Sequence, residues 1–147
     1  YTINRMQQNR ITYYPVPFIV LHPLIPVTIN TVLPGNIVKV IGIKVVHAAG
    51  VEYMAEGQYL PVIGHLSLEF NSRQYHFGNW EVAYDKQATA SDGFLDAAID
   101  VQRNSLLTGN YENKVFTGPE YVHADGSLTD KWSNYIVTIY LKTLSND

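Results

Sequence analysis

The side chains able to do chemistry are few, and their spacing does not favour it. Five histidines occur, His22, His47, His65, His76 and His123, and no two stand in an H-x-H or H-E-x-x-H spacing. His47 and His65 could meet Glu52 or Glu69 across two sheets, but without supporting spacing they read as loop or wet-face histidines. Cysteine is absent, which excludes disulfides, Cys-ligated zinc and a Cys nucleophile. There is no G-x-S-x-G elbow and no phosphate-cradling glycine motif. Ser67 shares one strand face with His65 and Glu69, which superficially resembles a triad. Residues two apart on a strand are separated by roughly 6.5–7 Å, whereas a working triad needs contacts of about 2.6–3.2 Å. Polar alternation explains the trio better. A glycosidase pair needs two carboxyls about 5–10 Å apart across a cleft, and the carboxylate pairs Asp96/Asp100 and Glu81/Asp85 read instead as solvated strand faces. Asp125-Gly126-Ser127 with Asp130 lacks the alternating acids of a calcium loop and reads as an Asp-Gly turn. The expectation is a protein with no catalytic residue, no metal site and no cofactor.

The aromatic residues are more informative. There are 11 Tyr, 5 Phe and 2 Trp. Tyrosine suits interfaces because its ring buries apolar area while its hydroxyl stays paired, and it also stacks on sugar rings. Two candidate sets follow. Arg5, Arg10, Tyr13, Tyr14 and Phe18, at the front of the chain, are candidates for contact with a neighbouring subunit. Tyr75, Trp80 and Tyr84, with Asn79 and Glu81 nearby, are candidates for a glycan platform. Core packing will claim several of these rings.

Length and composition set the frame. A chain of 147 residues is expected to form one domain, large enough to fold without metal or disulfide. Charged residues make up 16 %, against about 25 % in ordinary soluble domains. Either part of the surface is covered by neighbours, or Asn, Gln, Ser, Thr and Tyr keep it wet. Residues 1–51 carry Arg5, Arg10, Lys39 and Lys44 and no acid, while residues 52–147 carry thirteen acids against six bases. A basic front end is expected to seek an acidic surface. Four scattered cations are too few for a nucleic-acid footprint. The longest apolar stretch, Pro15 to Leu33, is broken by prolines and polar residues and cannot be a membrane-spanning helix. No secretion signal is legible, and because the chain opens at Tyr1 rather than Met, preceding residues are expected.

The elements that must position these residues read as strands. Residues 1–26 are expected to be an extended arm and proline-rich segment, and residues 27–147 a β-sandwich domain. Four prolines in 15–26 forbid helix and central strand there, so the stretch should run along an edge or over a surface. A strand is expected from Val27, then a Pro34-Gly35-Asn36 turn. In NIVKVIGIKVVH, Ile37, Ile41, Ile43 and Val45 are placed on one face and Val38, Val40 and Val46 on the other, so both faces are apolar. GHLSLEFN alternates cleanly, with Leu66, Leu68 and Phe70 inward. QYHFGNWEVAY is aromatic-rich, with a kink or turn at Gly78-Asn79. Residues 92–109 admit a capped helix, but Leu95, Ala97, Ile99 and Val101 at period two favour a strand. SNYIVTIYLKT closes the chain with Tyr135, Val137, Ile139 and Leu141 on one face. Seven or eight strands with turn signals between them predict an all-β fold, a two-sheet antiparallel sandwich. Eight such strands commonly form a single jelly roll.

PGNIVKVIGIKVV, GHLSLEFN and NYIVTIYLKT together resemble the strand pattern of single jelly-roll structural proteins from virus and phage particles. The resemblance covers about half the chain and rests on no diagnostic motif. It implies a capsid, vertex or other virion-surface subunit whose partners are copies of itself and other particle proteins, located in a virion or an extracellular assembly. It carries over no functional residue. A carbohydrate-binding or adhesin module is the alternative.

Overall fold

Leu66, Leu68 and Phe70 are buried, Ser67 and Glu69 between them are half-buried and His65 before them is exposed. That is the alternation of a strand covered on one face. Tyr135, Val137, Ile139 and Leu141 repeat it and are all fully buried. The computed structural model describes residues 9–51, 54, 62–70, 73–82, 94–101 and 105–146, with 46–49 and 73–82 described as backbone. Among these residues eight strands form: β1 Arg10–Val20, β2 Val27–Val32, β3 Ile37–Ala49, β4 Gly64–Phe70, β5 Arg73–Val82, β6 Leu95–Asp100, β7 Leu106–Asn113 and β8 Tyr135–Ser145. The segment that admitted either helix or strand is strand β6, with Ile99 buried and Asp96, Ala98 and Asp100 exposed.

The pairing has a simple logic. β1 pairs with β8, β2 with β7, β3 with β6 and β4 with β5, all antiparallel. Each strand of the first half thus meets its mirror partner in the second, as in one long doubled ribbon. Two further ladders, β3 with β8 and β4 with β7, roll that ribbon into sheets. Sheet A has the order β1-β8-β3-β6 and sheet B the order β2-β7-β4-β5. The fold is an all-β, two-sheet antiparallel sandwich. Val16, Val40, Ile43 and Ile139 from sheet A and Ile29, Leu66, Leu107 and Tyr111 from sheet B share one buried cluster.

The structure departs from the sequence expectations in three places. Residues 10–20 belong to the sandwich rather than to an arm ending at residue 26, since all eleven residues of β1 pair in register with β8. Pro15 and Pro17 are accommodated because β1 is an edge strand, where a missing N–H costs no internal ladder bond. The phase of β3 also differs from strict alternation. Its register slips between Ile37 and Lys39 and between Val40 and Gly42. Each slip inserts a residue, so the buried positions are Ile37, Val40 and Ile43, and Ile41 leaves the core face. In the β4–β5 ladder, Ser67 pairs with Asn79 but Glu69 pairs with Gln74, so β5 carries extra residues around Gly78.

A chain of hydrogen bonds organises one end of the sandwich. The Tyr111 hydroxyl lies 2.8 Å from the Tyr135 hydroxyl, and the Tyr135 O–H donates to Asn113 Oδ1 at 2.5 Å. Asn113 Nδ2 in turn donates to the carbonyls of Pro23 and Val115. The chain therefore joins the two sheets to the β1–β2 loop and to the segment leading from β7 to β8. Gly64 is required here: a Cβ on it would collide with the Tyr111 phenol.

Candidate functional site

β1 sorts its side chains by the pleat. Thr12, Tyr14, Val16, Phe18 and Val20 form the inward row. Val16 and Val20 are buried, and Thr12 Oγ1 lies 2.6 Å from Thr143 Oγ1 and 2.7 Å from Ser145 Oγ. The outward row is Ile11, Tyr13, Pro15, Pro17 and Ile19, all exposed and none charged. Ile11 is 53 % exposed, Tyr13 45 % and Ile19 44 %. At about 3.3 Å per residue the row runs for roughly 26 Å. The register continues it onto β8, where Ile11 faces Leu144, Tyr13 faces Lys142, Pro15 faces Tyr140 and Ile19 faces Ile136. Neither β1 nor β8 contains an acid.

The five front-end candidates divide along this pleat. Tyr13 and Arg10 are exposed. Tyr14 packs against the core, and Phe18 lies with its ring centroid 5.2 Å from that of Tyr111, inside the sandwich. Arg5 lies outside the described residues. Reasoning from residue type missed Ile11 and Ile19. Their signal was present as apolar residues on both faces of a strand, but the prolines among them suggested an arm.

The apolar surface extends past β1 into the loop that follows. Leu21, Leu24 and Ile25 are 56 %, 57 % and 61 % exposed, yet the loop is held in place. Trp132 Nε1 donates to the Leu21 carbonyl at 3.1 Å and Asn113 holds Pro23. His22 Nδ1 accepts the Leu24 N–H at 3.1 Å, and its Nε2 lies 2.7 Å from the Gly126 carbonyl. A carbonyl can only accept, so this pattern requires the Nε2–H tautomer. With both ring nitrogens engaged, His22 serves as a loop brace.

On the outer side of sheet B, Val32 and Leu106 are exposed and face each other in register, and the β4–β7 ladder carries polar groups. His65, Leu66, Ser67, Asn110 and Glu112 line a shallow open cleft where β4 and β7 pair, His65 opposite Glu112 and Ser67 opposite Asn110. Lys114 donates to Glu112 and sits beside it as a cation, and with His65 it holds that carboxyl below the usual range despite a small opposing effect of desolvation. No hydrogen bond joins His65, Ser67 and Glu69, so the trio is a polar strand face. Among the described residues no group of three or more His, Asp or Glu could hold a metal ion. Asp125 Oδ1 accepts from both the Ser127 hydroxyl and the Ser127 N–H, and Gly126 sits at φ +90°, which makes the segment an Asp-Gly turn. Asp96 and Asp100 stand exposed along β6. Of the aromatic platform, Trp80 pairs in register with the core position Leu66, Tyr75 lies within the backbone of β5, and Tyr84 lies outside the described residues.

No protein-family model, curated protein or solved structure matches the chain. Among the described residues no helix is long and apolar enough to cross a membrane.

Proposed function

We propose that this chain is a structural subunit of a virus or phage particle, built as a single jelly roll and acting through subunit contacts rather than catalysis. The exposed apolar row of β1 is the observation that carries the reading. A strand apolar on both faces is one that is covered on both or turns one face to a partner. Here the inward row is covered by the sandwich, and the outward row is open in the isolated chain. The strand order supports the architectural half of the proposal. A doubled ribbon rolled into β1-β8-β3-β6 over β2-β7-β4-β5 is the interleaving expected of two Greek keys, an arrangement used by viral capsid and lectin domains. The partners would be further copies and other particle proteins, in a virion or extracellular assembly.

The test is the oligomeric state, measured by light scattering over a wide concentration range. The wild-type chain should assemble, and Ile11→Asp with Ile19→Asp should abolish assembly while the thermal unfolding midpoint of the domain is retained. A wild-type monomer at every concentration overturns the reading.

The cleft on sheet B favours a second reading, a glycan-binding module. Ser67 and Asn110 offer hydroxyl and amide groups suited to sugar hydroxyls. The aromatic platform expected from the sequence, Tyr75, Trp80 and Tyr84, is the other version of this reading. A glycan array comparing wild type, Asn110→Ala and Trp80→Ala would separate the two versions: binding lost only in Asn110→Ala supports the cleft, and no binding by the wild type refutes the module.

A further inference from the structure

Among the described residues each sheet has two edge strands, β1 and β6 in sheet A and β2 and β5 in sheet B. An open edge is a template for further pairing unless proline, charge or irregularity blunts it. β1 carries Pro15 and Pro17, β6 exposes Asp96 and Asp100, and the β5 ladder is broken by a register shift. β2, VTINTV, has no proline, no charge and no bulge against β7. The register fixes which of its backbone groups face outward. Leu33 N–H donates to the Ser105 carbonyl at 2.9 Å, and this pair continues that of Val32 with Leu106. In an antiparallel ladder alternate residues turn N–H and C=O toward the partner strand, and those between turn them away. Val27, Ile29 and Thr31 therefore bond β7, while the N–H and C=O of Thr28, Asn30 and Val32 point to the open side. Among the described residues those groups have no partner. The side chains of Thr28, Asn30 and Val32 are exposed, and Asn110, Thr108 and Leu106 stand beside them on β7, so the outer surface along this edge is uncharged.

We propose that a second copy of this chain adds its own β2 to this edge, antiparallel and about a two-fold axis at Asn30, so that sheet B of the two copies becomes one continuous sheet. The proposal rests on the subunit reading above and names one of the contacts that reading requires. With Asn30 opposite its own copy, Thr28 lies opposite Val32 and Val32 opposite Thr28, and every outward N–H and C=O finds a partner. The same register sets Pro26 of each copy opposite Pro34 of the other. Neither has an N–H, so the added ladder stops where the strand stops. Sliding by two residues in either direction puts a proline opposite Val32 or Thr28 and leaves outward groups unpaired. A two-fold axis brings each charge near the same charge of the other copy, and along this edge there is none to repel. Val32, 56 % exposed, would be covered by the Thr28 methyl group across the contact. Main-chain bonds that replace bonds to water contribute little net, and association has a large entropic cost. The β2 contact therefore orients the copies and holds only together with the β1 row.

Introduced thiols test the register. The chain has no cysteine, so Asn30→Cys carries a single thiol. Residues in a hydrogen-bonded antiparallel pair have Cα atoms about 5.5 Å apart, within the range a disulfide spans. Oxidised at a concentration where the wild type assembles, Asn30→Cys should run as a covalent dimer on a non-reducing gel. Thr28→Cys alone and Val32→Cys alone should not, because each then lies roughly 13 Å from its own copy, whereas a mixture of the two variants should crosslink. Asn30→Pro removes only an outward N–H. It should keep the thermal unfolding midpoint and raise the concentration needed for assembly, read by light scattering, at least about tenfold. Suppose the wild type assembles but Asn30→Cys does not crosslink, or Thr28→Cys crosslinks to itself as readily, or a folded Asn30→Pro assembles like the wild type. Any of these refutes the contact and leaves the edge to a strand of a different protein, while the subunit reading stands. A wild type that stays monomeric at every concentration refutes the subunit reading itself.

Discussion

Replacing Tyr135 by Phe removes one oxygen from the buried hydrogen-bond chain that joins the two sheets. Both tyrosines are fully buried, with 0 % exposure. Because Tyr135 donates to Asn113 Oδ1, the Tyr111 hydroxyl must be the donor in the 2.8 Å contact between the two rings. The substitution therefore strands two groups at once, the Asn113 acceptor and the Tyr111 donor. An unsatisfied buried group costs about 1–3 kcal/mol. Part of that is offset because the Tyr135 hydroxyl no longer has to be desolvated, so a net loss of roughly 3 kcal/mol is expected. At about 2–4 °C per kcal/mol for a domain of this size, the midpoint should fall by roughly 6–12 °C. Tyr111→Phe is the informative contrast. It leaves Tyr135 donating to Asn113 and removes one donor from an oxygen that already has a partner, so roughly 1 kcal/mol is expected. In the double variant no Tyr111 hydroxyl is left to strand, so its cost should fall short of the sum by about 1 kcal/mol or more. Urea unfolding with an unchanged slope would measure all three. Equal losses for the two single variants, or strict additivity, would falsify the assigned direction of the chain.

The same pair governs alkaline stability. Burial pushes the Tyr111 hydroxyl from its ordinary 10.0 up to about 12. Burial, with the charge of Tyr111, raises Tyr135 further. A raised folded value means the stabilisation is complete below the unfolded tyrosine value and is lost as pH climbs through the folded one. Ultraviolet titration should therefore show two tyrosines that ionise only as the domain unfolds, with stability declining above about pH 10. Gly64→Ala should be among the most damaging single substitutions, roughly 3 kcal/mol or more, because its methyl group must displace the Tyr111 phenol; Gly118→Ala, with open space around it, should be close to neutral in the same thermal scan. Asp125 should titrate below the ordinary aspartate range, held down first by the Ser127 hydroxyl and then by the Ser127 N–H. Its contribution is present above the unfolded value and lost as pH falls through the folded one. Carbon NMR on Ser127→Ala should show the value moving back up, and no movement would remove the hydroxyl as the cause.

Local pattern made the strand faces legible where one face alone is apolar. In β4 and β8 the alternation of Leu66, Leu68 and Phe70, and of Val137, Ile139 and Leu141, assigns the core side without knowledge of any partner, because the pleat repeats every two residues. The prolines of 15–26 likewise restrict that stretch to an edge or a surface through the chemistry of a single residue. The lack of metal-spaced histidines and of nucleophile motifs is legible in the same direct way. Tertiary structure decided the rest. β3 is apolar on both faces, so its sequence carries no phase, and the register slips against β8 at Ile37/Lys39 and Val40/Gly42 determine that Val40 rather than Ile41 is buried. β1 is apolar on both faces as well, and only its pairing with β8, more than a hundred residues away in the chain, turns Phe18 inward and leaves Ile11 and Ile19 outside. Periodicity is a property of neighbours along the chain, whereas pairing and bulges come from contacts between distant segments.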